Sequence, residues 1–396
     1  MNVTSDNMIY LDHAATTGVD PRVLDVMLPF WKERYGNPSS LYRLGRDASK
    51  AVNGARETIA SILGADPREI IFTSCGSESD NLALRGVALA RQAAGKGNHI
   101  ITTPIEHHAV GHTASQLATK SGFELTVVPV DKYGLVDPQA VAEAIRDNTA
   151  LISVMYANNE VGTIEPIAEI GAIARSRGVP FHTDAVQAGG SLPLKVKDLK
   201  VDLLSLSAHK FYGPKGVGLL YARKGVSMWP TQTGGAQEAN RRAGTENVAF
   251  IVGMAKALEL AYAELEESNR RIADLRDRLV AGIMSRIPES ELTGHPTQRL
   301  PNSASFVIHY VEGESILLNL DAKGIAASTG SACTSASLSP SHCLLAMGYI
   351  PEIAHGSLRL TLGKENTIEE IDYVIESLTG IIEKLRAMSP LYRPTR

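Results

Sequence analysis

Apolar runs alternate with helix-like segments along the first two thirds of the chain. Seven apolar runs predict strands, at 69–74, 99–103, 123–130, 150–156, 179–184, 202–207 and 217–223. Several of them are continuous and rich in leucine and β-branched residues, which is typical of strands that a sheet buries on both faces. The segments between the runs, such as 78–94 and 166–177, have helical spacing. The alternation therefore predicts an α/β fold around a mixed, mostly parallel sheet.

The pattern changes after about residue 246. A long charged amphipathic stretch, 247–286, predicts one or two helices. The remaining predicted elements are strands at 303–310 and 357–363, a short run "GIAAS", a helix after Glu312 and a last helix from Thr367. We predict a second, smaller α/β domain. The large domain would span 16–262, and the small domain 263–396 together with an N-terminal arm, 1–15.

Composition narrows the class of protein. The 396 residues carry a formal charge of −4, so the chain lacks the basic surface that nucleic acid or an anionic membrane requires. No apolar run approaches the roughly 20 residues that span a bilayer, and "MNVTSDNMIY" predicts neither a signal nor a transit peptide. Cys75, Cys333 and Cys343 form no C-x-x-C pair, which argues against a disulfide framework or a closed zinc site. We expect a cytoplasmic protein.

Polar residues follow the predicted strands where the strands end, and ligands of open α/β sheets gather at such ends. Gly76 and Ser77 in "TSCGSES" lie between a strand and a helix. Backbone N–H groups there form an anion cradle, or the residues only cap the helix. Asn159 either orients a ligand or holds a turn. Asp184 ends another strand, where it is a ligand contact or a helix cap, and Gln187 follows three residues later.

Lys210 follows the apolar run "LSLSAH" directly, where an ammonium group is costly to bury. A phosphate cradle, a carboxylate, a planar imidazole and such a lysine are the set that a pyridoxal phosphate site requires. The lysine bonds to the aldehyde, and the carboxylate keeps the pyridine nitrogen protonated. Lys215 is the competing lysine, but it lies within the turn "GPKG", where we expect it to be solvated.

The histidines of "EHHAVGH" raise the alternative of a zinc site. Two adjacent histidines after a strand are more often surface or packing residues. A zinc pair needs i, i+4 spacing and a further ligand, and His107, His108 and His112 lack a convincing cysteine or carboxylate partner. We therefore expect no resident metal.

The motifs taken together resemble one family. The stretches "YLDHAATT", "GNPSS", "IEHHAV", "NNEVG", "HTDAVQ", "SAHKFYGPKG", "RRAGTEN" and "STGSACTS" occur in order over nearly the whole chain and are similar to those of the cysteine desulfurases of the NifS/IscS kind. These are class V, fold-type I pyridoxal phosphate enzymes. The resemblance implies a homodimer that takes sulfur from L-cysteine, leaving L-alanine and a persulfide on an active-site cysteine.

The resemblance also assigns roles by position. It implies that Lys210 is the Schiff-base lysine, Asp184 the pyridine-nitrogen partner, His107 the stacking histidine and Gln187 the contact of the ring hydroxyl. The implied phosphate ligands are Gly76, Ser77, Ser207, His209 and, from the other subunit, Thr245. Asn159, which also contacts the cofactor, and Arg359 would hold the substrate carboxylate, which a guanidinium grips through two hydrogen bonds.

Cys333 is the implied sulfur carrier. Its surroundings at 327–341 are small and polar, which predicts a mobile, exposed loop. The persulfide would pass to an iron–sulfur scaffold or another acceptor protein, and the resemblance allows Cys333 to contact a transient iron–sulfur cluster.

Two departures from the family pattern affect these expectations. Cys75 stands where such loops usually have glycine, and a left-handed backbone there would be strained by a side chain. The chain also ends at "SPLYRPTR", without the longer tail of housekeeping members. The nitrogen-fixation and housekeeping types therefore both stay open.

Three alternatives remain at this point. A class V aminotransferase would share Lys210 and Asp184 but would have no use for Cys333. A selenocysteine lyase would share nearly all of the residues. A non-catalytic scaffold is disfavoured because it would not need Lys210 together with Asp184.

Overall fold

The computed structural model describes residues 8–330, 339–390 and 392, so Cys333 lies outside the described residues. The strands are β1 Ile9–Tyr10, β2 Ile70–Thr73, β3 His99–Thr102, β4 Glu124–Val127, β5 Thr149–Ser153, β6 Phe181–Asp184, β7 Leu203–Ser207, β8 Gly218–Ala222, β9 Ser290–Leu292, β10 Ser303–Ile308, β11 Ile325–Ala326 and β12 Ser357–Thr361. The helices are α1 Pro21–Met27, α2 Pro29–Lys32, α3 Arg43–Leu63, α4 Gly76–Ala93, α5 His108–Ser121, α6 Pro138–Ala144, α7 Ile167–Ser176, α8 Val196–Leu199, α9 Gln237–Asn240, α10 Val248–Ala263, α11 Leu265–Arg286, α12 Gly313–Asp321, α13 His342–Ala346, α14 Pro351–Ala354 and α15 Ile368–Met388.

The seven strands predicted for the first two thirds of the chain form one sheet in the order β2-β8-β7-β6-β5-β3-β4. Strand β8 runs antiparallel to both neighbours, and the other pairs are parallel. Strands β5 to β8 are buried along their whole length, as their continuous apolar runs require. Edge strand β4 is shorter than predicted, and its residues are exposed or half-buried. The mostly parallel α/β sheet is confirmed.

A second, smaller sheet forms after residue 286. Strands β12, β10 and β9 pair antiparallel in that order. The stretch 247–286 forms two helices, α10 and α11, and Thr367 caps α15 through a capping box with Glu370.

The N-terminal arm packs with the small domain. Strand β1 pairs in parallel with β11, and Leu11 is buried in a core with Ile272, Phe306 and Leu358. A separate core, with α10, fills one face of the large sheet. These two cores support the predicted division at 16–262 and 263–396, which stays a prediction. Within the described part of the chain, the structure contains no helix of the length and apolarity that a membrane crossing needs.

Candidate active site

A cavity of about 340 Å³ opens at the carboxyl ends of the large sheet's strands. Ten of the residues predicted for the site line it: Gly76, Ser77, His107, Asn159, Asp184, Gln187, Ser207, His209, Lys210 and Arg359. Thr245 does not line this cavity and is exposed. The fold thus gathers residues that are separated by up to 283 positions in the sequence, from 76 to 359.

Lys210 reaches the cavity from a single 3₁₀ turn, Ala208–Lys210, that follows β7. It therefore lies three residues beyond the strand rather than at its last position. Its Nζ donates hydrogen bonds to the carbonyl oxygens of Ala14 and, at 2.8 Å, of Ala15 in the N-terminal arm. Lys215, the competing lysine, is exposed. The geometry favours Lys210 as the reactive amine.

Asp184 is the last residue of β6 and is 5% exposed. Its Oδ1 accepts a hydrogen bond from the Val186 N–H at 2.9 Å. Burial raises the pKa of Asp184, and the opposing charges of His107 and Lys210 act to lower it. A buried carboxylate aimed into a cavity beside the Lys210 ammonium group is suited to hold a protonated ring nitrogen.

His107 lies directly before α5, where it caps the helix: its Nδ1 accepts a hydrogen bond from the Ala109 N–H at 3.1 Å. That bond fixes Nδ1 as the unprotonated ring nitrogen and holds the ring in place. Burial lowers the pKa of His107. A neutral, fixed imidazole at the cavity edge is suited to lie against a flat ligand.

The start of α4 forms the predicted anion cradle. The helix begins at Gly76, and the residue before it, Cys75, gives no side-chain cap, so the first backbone N–H groups lack a capping acceptor from the described part of the chain. Ser207 Oγ, in the same cavity, is buried without a hydrogen-bond partner among the described residues. Uncapped N–H groups, an unpartnered hydroxyl and the nearby His209 provide donors for a phosphate.

The strain expected at Cys75 is absent. Its backbone is fully extended, with φ −172° and ψ 172°, a conformation that any residue adopts. The close contact occurs instead at Gly218 of β8, where an added Cβ would lie 2.6 Å from the Cys75 carbonyl carbon. The strain expected at Cys75 was wrong, because strain of this kind needs a left-handed backbone and Cys75 does not have one.

Arg359 comes from the small domain, on β12, and is 4% exposed. One guanidinium nitrogen donates to the Asn159 carbonyl oxygen at 2.9 Å, and another donates to Asp12 Oδ1 at 2.8 Å. Its Nε has no partner among the described residues. A buried guanidinium with an unpaired donor at the cavity is suited to a carboxylate ligand.

Two parts of this site were not predicted from the sequence. The arm contributes Ala14 and Ala15 to the lining, together with Asp12 as the partner of Arg359. Asp80, inside α4, is a second buried carboxyl of the cavity. The helical spacing from Gly76 to Asp80, which puts both on one face of α4, is the signal that would have found Asp80.

The described residues contain two groups of three whose potential metal-ligating atoms all lie within 4.8 Å of one another. One group, Asp80, His107 and Asp184, belongs to the cavity. The other is Glu160, His342 and Cys343. The set His107, His108 and His112, which the sequence argued against as a zinc site, is not among these groups, and the absence of a resident metal stays a prediction.

Comparisons with known proteins point to the same family as the sequence motifs and the cavity residues. Residues 9–374 match the family "Aminotransferase class-V". "Cysteine desulfurase IscS" of Methanosarcina thermophila is 57% identical over 391 residues, covering 98% of this chain and 96% of that protein. "Cysteine desulfurase IscS" of Clostridium botulinum is 54% identical, covering 98% of this chain and 97% of its own length.

Solved structures of similar proteins point to the same family. A "NIFS-LIKE PROTEIN" superposes with a TM-score of 0.89 at 41% identity, covering 95% of this chain and all of the other. A NifS-like protein from Rickettsia africae superposes with a TM-score of 0.85 at 32% identity, covering 95% and 99%. The chain therefore belongs to the class-V aminotransferase family and, within it, to the cysteine desulfurases.

Proposed function

We propose that the chain binds pyridoxal phosphate in this cavity and uses it to remove sulfur from L-cysteine, giving L-alanine and a persulfide on Cys333. The observation that carries the proposal is the convergence of Lys210, Asp184 and the α4 cradle on one cavity. Enzymes of this family are pyridoxal phosphate-dependent in general. Unpaired donors at Ser207 and Arg359, both buried, fit a ligand that carries anionic groups.

Each part of the cavity would hold one part of the cofactor. Lys210 would supply the amine for the aldehyde, and Asp184 would hold the ring nitrogen. His107 would hold the ring, and Gln187 would hold the ring hydroxyl. The phosphate ligands would be Gly76, Ser77, Ser207, His209 and Thr245 of the partner subunit. When bound, pyridoxal phosphate supplies an electron sink for bond breaking next to the substrate amine.

The chain's own residues bind and orient the substrate. Arg359 holds the carboxylate, and its contact with the Asn159 carbonyl oxygen fixes the guanidinium on the side of the cavity. Asp12 pairs with Arg359 from the arm, so the guanidinium does not swing away. With the carboxylate held there, the substrate sulfur has one consistent orientation for attack by the Cys333 thiolate.

Two partners complete the proposal. The chain forms a homodimer in which Thr245 completes the neighbouring cavity, and exposed apolar side chains at Leu28, Trp31 and Leu41 provide surface for such contacts. The persulfide is then passed to an iron–sulfur scaffold or another sulfur acceptor. Mixed dimers of Lys210→Ala and Thr245→Ala chains test the shared site. Activity above that of either parent supports it, and no gain contradicts it.

Mass spectrometry of the protein after addition of L-cysteine tests the reaction. We expect one or more extra sulfur atoms on Cys333 and sulfide release in the presence of a thiol reductant. Cys333→Ala should keep the cofactor but lose both signals, whereas Cys343→Ala, at a fully buried position, should keep both. Extra sulfur on Cys343 or Cys75 with Cys333 unmodified would overturn the assignment. A cofactor-loaded protein that releases no sulfide would indicate a plain aminotransferase.

A further inference from the structure

Asp80 is a carboxyl group that the proposed reaction leaves unexplained. It lies in the second turn of α4, one turn after the anion cradle, and is 1% exposed. It lines the same cavity as Lys210, and its Oδ1 has no hydrogen-bond partner among the described residues. An unpaired oxygen on a fully buried carboxyl is costly, so its protonation state matters for the site.

Asp80 faces a second buried carboxyl. Potential ligand atoms of Asp80, His107 and Asp184 all lie within 4.8 Å of one another. When two carboxyl groups lie so near each other in a buried site, they do not both ionise, because the negative charge of one disfavours ionisation of the other. One of the pair therefore keeps a proton.

The surroundings decide which carboxyl keeps the proton. Asp184 has the opposing charge of Lys210 beside it and accepts a hydrogen bond from the Val186 N–H at 2.9 Å. These contacts stabilise its ionised form. Asp80 has no such cation among the groups that shift its pKa, and of those groups the Ser205 hydroxyl alone acts to lower it.

The groups packed behind Asp80 add no positive charge. His182 Nε2 lies 3.6 Å from Asp80 Oδ1 and 3.0 Å from Ser205 Oγ, and His182 Nδ1 is bonded to Ser153 Oγ at 2.8 Å. Burial lowers the pKa of His182 to about 3, so this imidazole is neutral at physiological pH.

The remaining titratable neighbours favour the same state. Glu106 and Cys75 both act to raise the pKa of Asp80, as Asp184 does. Burial is the largest cause and raises that pKa well above its ordinary value.

We propose that Asp80 stays protonated in the working protein and acts as a positioning residue, leaving Asp184 as the single negative charge beneath the cavity. Its O–H supplies a hydrogen-bond donor close to the Asp184 carboxylate. With one charge instead of two, the field at the ring nitrogen comes from Asp184 alone. This role rests on the proposed function, since Asp184 is taken as the partner of the ring nitrogen.

Asp80→Asn is the sharpest test, because an amide is neutral, nearly the same shape and still a donor. Infrared difference spectra of the full-length proteins at neutral pH, wild type minus variant, should show the C=O stretch of a protonated carboxylic acid, shifted in D₂O. The pH midpoint of the bound cofactor's visible absorption should be the same in Asp80→Asn and wild type. Asp80→Ala, which lacks the donor, should weaken cofactor binding about tenfold.

The opposite results overturn the proposal. An ionised Asp80 gives no acid C=O band in the difference spectrum. Removing its charge then lowers the cofactor's pH midpoint by about one unit or more, since a nearby negative charge stabilises a protonated nitrogen. If Asp80→Ala does not fold, the infrared comparison with Asp80→Asn still decides the matter.

Glu165→Gln is the matched control. Glu165 is a buried carboxyl with one unpartnered oxygen, its other oxygen accepts a hydrogen bond from the Val136 N–H, and it does not line the cavity. Burial raises its pKa as well. The Glu165→Gln variant should lose the acid C=O band of Glu165, while the pH midpoint of the bound cofactor stays unchanged. A protein that never binds pyridoxal phosphate would refute the proposed function, yet the infrared result for Asp80 would remain readable.

Discussion

The cavity has two sides of different origin. The sheet side, defined as His107, Asp184 and Lys210, comes from short connections that follow strands of one sheet. The arm side, defined as Arg359 with Asp12, Ala14 and Ala15, comes from the small domain and the N-terminal arm. On the sheet side, Asp184 and His107 are positioned by neighbours close in sequence, Val186 and Ala109. The Lys210 side chain reaches across to the arm carbonyls. The arm side is held together by contacts between residues almost 350 positions apart.

The difference separates two tasks. The sheet side concentrates buried titratable groups with shifted pKa values, which is typical of groups that handle protons and charge. The arm side presents a fixed cation and two backbone carbonyls, which is typical of binding and orientation. Changes on the sheet side should therefore reduce kcat, and changes on the arm side should mainly raise KM.

Lys210→Ala should give the largest loss. Without the amine the cofactor is no longer bonded to the chain, and turnover should fall by at least about a thousandfold. Steady-state sulfide release and the visible spectrum measure this. Lys215→Ala, at an exposed position, is the control and should remain active. A pyridoxyl adduct on Lys215 after borohydride reduction would contradict the assignment.

Asp184→Asn should come next. The amide does not hold the ring nitrogen protonated, so turnover should drop roughly a hundredfold while some cofactor remains bound. Cofactor content and kcat, measured on the same folded sample, check this. A kcat near that of wild type would show that Asp184 is not the partner of the ring nitrogen. The proposed difference between the two sides of the cavity would then fail.

Arg359→Lys sharpens the comparison from the arm side. A lysine keeps the charge but loses the two-pronged contact, so KM for L-cysteine should rise roughly tenfold with a smaller change in kcat. Asp12→Asn, which removes the ion pair at 2.8 Å, should shift KM in the same direction by less. A fall in kcat with KM unchanged would show that the arm side takes part in chemistry.

Glu106→Gln should change the pH dependence of stability. Glu106 directly precedes His107 in the chain and accepts hydrogen bonds from Thr103 Oγ1 and the Met155 N–H. Burial raises the pKa of Glu106 to about 8. Because the folded pKa exceeds the unfolded one, its contribution is fully present below about pH 4.5 and is lost as the pH rises towards 8. The slope is up to about 1.4 kcal/mol per pH unit.

Chemical denaturation of wild type and Glu106→Gln at pH 5 and pH 8 measures this effect. The variant should lose less stability between the two values than wild type. Glu143→Gln, a carboxyl on the surface of α6, is the control and should follow wild type. Equal slopes for Glu106→Gln and wild type would show that Glu106 is ionised in the folded chain.

Cys75→Ala should have the smallest effect. The extended backbone at Cys75 suits either residue, and its side chain makes one long contact, from Ser74 Oγ at 3.7 Å. Turnover should change by less than about twofold. Sulfide release and persulfide mapping check this. A large loss would place the Cys75 thiol in the reaction.

The sequence by itself determined the sheet side. Continuous apolar runs predict buried strands, and a polar residue directly after such a run lies at the carboxyl edge of the sheet. Lys210, Asp184 and the cradle at Gly76 were found in this way, because each depends only on a strand and the few residues after it. The resemblance to a family then gave the roles, which local pattern alone left open between ligand contact and helix cap.

Only the tertiary structure decided the arm side and the charge balance of the cavity. The pairing of Asp12 with Arg359 requires β1 to join β11 and the small domain to close against the sheet, which no local pattern encodes. The close approach of the Cys75 backbone to Gly218 joins two strands that are distant in the sequence. The local sequence pattern predicts only that Asp80 lies in a helix. Its burial against Asp184 follows from where α4 packs, and burial beside a like charge is what sets the protonation state of a carboxyl group.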